Sequence, residues 1–112
     1  MITFVNQDDS AISLPIHIDA RRIADFCRRH DIVRLCLFGS VLRDDFGPDS
    51  DIDVLVAFAP GKTPGWEFFG MQDELSLIMG RQVELNTSNF LSRYFRDEVV
   101  AGALPIYESG RD

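Results

Sequence analysis

Leu37-Phe38-Gly39-Ser40-Val41-Leu42-Arg43 and Ser50-Asp51-Ile52-Asp53-Val54-Leu55-Val56, with ten residues between Ser40 and Asp51, decide how this chain reads. Val33 to Phe38 is a run of strand formers that stops abruptly at Gly39-Ser40. Ile52 to Phe58 reads as a second strand. Successive strand residues point to opposite faces, so Ile52, Val54, Val56 and Phe58 share one face and Asp51 and Asp53 take the other. A glycine at a strand end lets the backbone approach a phosphate closely, because no Cβ intervenes. If a helical turn begins at Ser40, its free N–H groups and the hydroxyl offer an anion site. Two carboxylates at i and i+2 suit divalent cations of the Mg2+ type. Such a pair of ions activates an attacking oxygen and stabilises a leaving one.

Working outward, Ile18 to His30 has the pattern of an amphipathic helix, with Ile23, Ala24, Phe26 and Cys27 on one side and Asp19 at its start. Asp44 to Ser50, with Gly47-Pro48, and Ala59 to Gly65 read as loops. Trp66 to Met79 is a second helix, striped by Phe68, Met71, Leu75 and Ile78 and closed by Gly80. Gln82 to Asn86 is a third strand, and Phe90 to Val100 reads as helical. Leu104 to Tyr107 is either a last short strand or a packed tail. Met1 to Leu14 is read as a polar arm holding a short strand. Alternating helices and strands predict an α/β (α+β) domain, one small sheet covered by helices, spanning residues 1–112 as a single unit. In the third strand Val83 and Leu85 share a face, with Glu84 opposite. If the apolar faces turn toward the helices, Asp51, Asp53 and Glu84 converge on the open face. Two carboxylates about 6 Å apart repel by roughly 3 kcal/mol at an effective dielectric near 20, so such a group calls for a cation or a retained proton.

The chain has 112 residues, enough for one compact domain and too few for a separate substrate domain of ordinary size. Its net charge of −7, from 18 acidic against 11 basic residues, disfavours direct nucleic-acid binding through the phosphate backbone. Cys27 and Cys36 lie in apolar patterns without CxxC or histidine pairing, and are expected to be reduced, buried thiols. With neither a long apolar span nor a signal-peptide pattern, a cytoplasmic protein without membrane attachment is expected. No GxxxxGK[ST] occurs, which excludes a P-loop enzyme.

The two quoted stretches resemble the GSx10DxD signature of the polymerase-β-like nucleotidyltransferases. More closely, the chain resembles the minimal nucleotidyltransferases (MNT) that act as antitoxins beside HEPN-type RNase toxins, from about Leu14 to Glu108. Gly80-Arg81-Gln82-Val83-Glu84-Leu85 is similar to that family's third-carboxylate strand. The resemblance implies a small mixed β-sheet with helices on one face. It implies that Asp51 and Asp53 are catalytic and bind metal, two Mg2+ ions in all, and that Gly39 and Ser40 hold the triphosphate of ATP. Glu84 stands where the family often has Asp, as metal ligand or as acceptor of a proton. Arg43 matches a basic position, either meeting a phosphate or pairing with Asp44 or Asp45. Ser50 either helps the nucleotide loop or serves as an ordinary turn residue. The implied reaction is transfer of AMP to a tyrosine of the toxin. The alternatives are a small-molecule nucleotidyltransferase and an antitoxin that acts by binding alone.

Lys62 is a weaker phosphate candidate. Trp66 and Phe69 fall off the apolar stripe of their helix, and either pack on the loop from Ala59 or lie exposed at a partner interface. Arg21, Arg22, Arg28 and Arg29 form a solvated helix face or meet an acidic partner or RNA. His17 and His30 match no ligand pattern, and Tyr94 and Tyr107 are read as packing residues. An oligomer is compatible with everything above.

Overall fold

The computed structural model describes residues 2–5, 11–14, 16–43, 46–88 and 96–109. Strands β1 (Ile2–Val5) and β2 (Ala11–Leu14) pair antiparallel, Ile2 opposite Leu14. The arm predicted for this region is thus a two-stranded hairpin. Its β-branched and aromatic residues are strand formers, but runs of four residues are too short for an alternation pattern to show.

Helix α1 (Ala20–Arg29) begins at Asp19, whose carboxylate accepts a hydrogen bond from the Arg22 N–H at 3.2 Å. Strand β3 (Ile32–Phe38) follows, then a single 3-10 turn over Gly39–Leu42, then β4 (Ile52–Phe58). Helix α2 (Glu67–Met79) ends at Gly80, which has φ 70° and donates its N–H to the Ser76 carbonyl. Strand β5 (Val83–Asn86), helix α3 (Arg96–Gly102) and strand β6 (Leu104–Glu108) complete the order. The helix expected over Phe90–Val100 is seen from Arg96; its earlier part lies outside the described residues. Of the two readings of the C-terminal segment, the strand is the one found.

The main sheet has strand order β5-β4-β3-β6 and is mixed. β3 runs antiparallel to β4 and β6, while β4 and β5 are parallel and joined by α2. Core and open face follow from alternation. Leu35, Leu37, Ile52, Val54, Val56, Val83 and Leu85 all point into one buried cluster with Ile23 and Phe26 of α1 and Met71 and Leu75 of α2. Each fully buried aliphatic side chain here contributes about 1.5–3 kcal/mol, which ties strand register to core packing. A one-residue slip would turn Asp53 into the core. On the opposite face, Val100 of α3 lines a cleft of about 160 Å3 with Arg34, Cys36, Leu55 and Ala57.

Candidate active site

Three strands bring the site together at one end of the sheet. Phe38, the last residue of β3, pairs with Asp53, and Asp53 pairs in turn with Glu84 of β5. Ile52, Val54 and Val83 are fully buried, so their neighbours Asp53 and Glu84 are held on the other face. Asp51, just ahead of β4, is exposed.

Gly39 follows Phe38 with φ 75°, a conformation costly for residues with a side chain. A Cβ on Gly39 would also land on the Asp53 carboxylate at Oδ2, well inside van der Waals contact. Glycine is therefore required twice, by backbone angle and by the room the carboxylate needs. The helix imagined at Ser40 is only one 3-10 turn, bracketed by extended backbone at Phe38 and Arg43. Buried Val41 anchors it, and the Arg43 N–H donates to the Ser40 carbonyl at 2.9 Å. A turn this short carries little macrodipole. Its anion-binding capacity rests on the Ser40 hydroxyl and local N–H groups.

The electrostatics centre on Asp53. Partial burial pushes its pKa up to about 6, helped by a hydrogen bond with the Glu84 carboxyl and by the charges of Glu84 and Asp51. The nearby Arg43 guanidinium acts in the opposite sense. A carboxyl pair in which burial and neighbouring charge disfavour the ionised form of Asp53 is one that a divalent cation can take over, and the missing Cβ at Gly39 leaves room beside Oδ2. The donor chemistry fits Mg2+. Among the described residues no three His, Cys, Asp or Glu side chains are grouped so as to hold a metal ion, so the convergence of Asp51, Asp53 and Glu84 expected from alternation is met only by the Asp53–Glu84 pair. Asp51 acts on the pair through its charge, and a cation held by two carboxylates would keep most of its coordination positions for other oxygens.

Two supports escaped the sequence reading. Arg81 donates from Nη2 to the carbonyls of Gly47 (2.7 Å) and Ser50 (2.6 Å), with its guanidinium 4.5 Å from the Phe46 ring centre. It clamps the loop that delivers Asp51. Ser50 acts in the same loop, its hydroxyl accepting from the Gly47 N–H at 2.9 Å. On α2, Ser76 Oγ accepts from the Val83 N–H (3.0 Å) and Gln72 Oε1 from the Leu85 N–H (2.9 Å), fixing β5 on both sides of Glu84. The Ile52 N–H donates to the Gln82 carbonyl at 2.9 Å. Only the i, i+4 spacing of the polar Gln72 and Ser76 could have signalled this, and nothing local marked Arg81.

The remaining candidates lie elsewhere. β4 runs away from the site for seven residues, about 20 Å, so Lys62, which follows it, sits at the far end and not by the phosphate turn. Trp66 and Phe69 are exposed. His30 Nε2 lies 2.9 Å from Glu74 Oε1 and its ring stacks obliquely on Phe26, a structural role. Cys27 and Cys36 are buried and free, and burial pushes the Cys27 thiol up to about 12. Tyr107 packs half-buried against the core, while Tyr94 lies outside the described residues. No helix among the described residues is long and apolar enough to cross a membrane.

Comparison with known proteins points to nucleotidyltransferases. The model of the family described as nucleotidyltransferase domain matches residues 20–105, a span holding every residue of the site. The "Putative protein adenylyltransferase" of Methanocaldococcus jannaschii is 29% identical over 86 residues, covering 77% of this chain and 91% of that protein. A solved structure of a "putative minimal nucleotidyltransferase" superposes with a TM-score of 0.64 at 32% identity, over 77% of this chain and 87% of that one. A complex of tri-AMPylated Shewanella oneidensis HEPN toxin with its MNT antitoxin matches with a TM-score of 0.58 at 20% identity, over 80% and 70% of the two chains. At that identity the likeness is one of fold.

Proposed function

The chain belongs to the nucleotidyltransferase domain family, and from that premise we propose that it is an antitoxin that transfers AMP from ATP to a tyrosine hydroxyl of a HEPN-type RNase toxin. The observation that carries the reading is the Asp53–Glu84 carboxyl pair seated against Gly39. The relative named as a protein adenylyltransferase and the AMPylated toxin held by a protein of this fold support the acceptor class.

Gly39 and Ser40 receive the triphosphate at the end of β3, where the backbone is bare of a Cβ. Asp51, Asp53 and Glu84 would hold two divalent cations, which polarise the α-phosphate and offset the charge on the leaving group. The tyrosine oxygen bonds to the α-phosphorus as the bond from that phosphorus to the bridging oxygen breaks, and pyrophosphate leaves. Glu84, already placed to exchange a proton with Asp53, takes the proton of the hydroxyl. Arg43, whose charge already reaches Asp53, balances negative charge around the phosphates. Arg81 and Ser50 keep Asp51 in place through the loop.

The test is incubation with α-labelled ATP, Mg2+ and the purified protein encoded by the neighbouring gene. Label should move to that protein and its RNase activity should fall. No transfer, or equal transfer by the Asp51→Ala/Asp53→Ala variant, rejects the reading.

A further inference from the structure

Helix α2 carries large apolar side chains on two opposite sides, the outer one interrupted by the exposed Asp73 between Phe69 and Leu77. At 100° per residue, Met71, Leu75 and Met79 face the core, while Trp66 at the helix start, Phe69 and Leu77 fall within about 100° of arc on the other side. Those three are 87%, 66% and 78% exposed, and they are three of the four large hydrophobics exposed among the described residues. Trp66 and Phe69 lean on each other, ring centres 6.2 Å apart, without covering either. Scattered exposed leucines are ordinary, but a stripe of three about 16 Å long on one helix face is not.

Beside the stripe runs a cleft of about 470 Å3 between α1 and α2, lined by arginines and bounded by Leu77 and Ile78. Arg29 is committed to Asp25 and Glu74. The side chains of Arg21, Arg22 and Arg28 make no ion pair among the described residues and are exposed. A chain of net charge −7 therefore carries a local cationic group beside the Leu77 end of the apolar ridge.

We propose that the α1–α2 surface is where the toxin docks, receiving an acidic amphipathic helix whose apolar side covers Trp66, Phe69 and Leu77 and whose carboxylates meet Arg21, Arg22 and Arg28. This rests on the reading that the acceptor is a protein. The stripe matches three turns of a partner helix, and tryptophan and arginine are the residues that most often anchor interfaces. A two-fold contact with a second copy would lay the same patch on itself and bring like charges together. RNA is disfavoured by the overall negative field, and Leu77 offers a base no ring to stack on.

The test measures affinity for the purified protein encoded by the neighbouring gene by calorimetry, with wild type, Trp66→Ser/Phe69→Ser/Leu77→Ser and Arg21→Glu/Arg22→Glu/Arg28→Glu. Each variant should bind roughly thirtyfold more weakly or worse, the second also losing the salt dependence of wild type. Both should keep the wild-type circular dichroism and the rise in Tm with Mg-ATP; all altered side chains are exposed, and either variant suffices. Wild-type affinity in a folded variant overturns the proposal, as does failure of wild type to bind. Self-association in sedimentation velocity that the apolar variant abolishes, with toxin binding unchanged, also overturns it, as does the same pattern with a single-stranded RNA oligonucleotide. Docking and chemistry separate cleanly. Binding lost in the variants while no AMP is ever transferred sustains the surface and sinks the reaction. Transfer at wild-type kcat/KM by the variants does the reverse.

Discussion

The two faces of β4 obey opposite rules. On one, Ile52, Val54 and Val56 are almost wholly buried and contribute stability by leaving water. On the other, Asp53 is held near Glu84 and Asp51, and its raised pKa shows that the folded state disfavours its charge. One strand thus stabilises the fold with its even-numbered residues and opposes it with an odd-numbered one. The function proposed above would draw on the repulsion that the core tolerates.

The largest effect expected from breaking this contrast is on the charged face. Asp53→Ala should lower AMP transfer by about a thousandfold or more, measured by label incorporation, with the fold intact. Gly39→Ala attacks the same carboxylate from the side, since the new methyl group displaces Oδ2. A loss of about a hundredfold in kcat/KM is expected, and wild-type turnover would show that the cradle has no role. On the apolar face the readout changes from rate to stability. Ile52→Ala should cost about 2–5 kcal/mol and lower Tm by ten degrees or so in a melting experiment. Asp53→Asn should go the other way and raise the Tm of the metal-free protein by a few degrees, although transfer is lost.

The smallest effect is a pH dependence. The folded pKa of Asp53, about 6, lies above its ordinary value of 3.8. Its destabilising contribution is therefore full above pH 6 and fades as pH falls toward 4. The pKa of Glu74 is lowered, chiefly by its hydrogen bond with Arg29, so its contribution works in the opposite direction and is lost only at more acidic pH. Between pH 7 and 5 the metal-free protein should gain stability relative to Asp53→Asn, and Mg2+ should raise Tm more at pH 7.5 than at 5.5. Parallel melting curves for the two proteins would rule out Asp53 as the source.

The same contrast explains what could be read from the sequence. Period-two alternation separates Asp53 from Val54 and Glu84 from Val83, and the Gly39-Ser40 turn comes to lie against the Asp53 carboxylate. These are local patterns on strands whose one face is buried. Arg81 reaches carbonyls more than thirty residues away, and Gln72 and Ser76 meet a strand only after α2 has packed. Such contacts exist only in the folded chain. The hairpin of β1 and β2 and the exposure of Trp66 and Phe69 belong to the same class, because short strands and doubly apolar helices leave the periodic signal ambiguous.

The hydrogen bonds from β5 to α2 have one more consequence. β5 is an outermost strand, and such strands ordinarily template the addition of another chain. Here the outward N–H groups of Val83 and Leu85 are taken by Ser76 and Gln72, and the Val83 carbonyl accepts from Gln82 Nε2 at 3.2 Å. That margin is closed to strand recruitment. It guards against sheet extension at this margin, and a partner that approaches β5 meets the side chains of α2 instead of free strand N–H groups, leaving the register of Glu84 undisturbed.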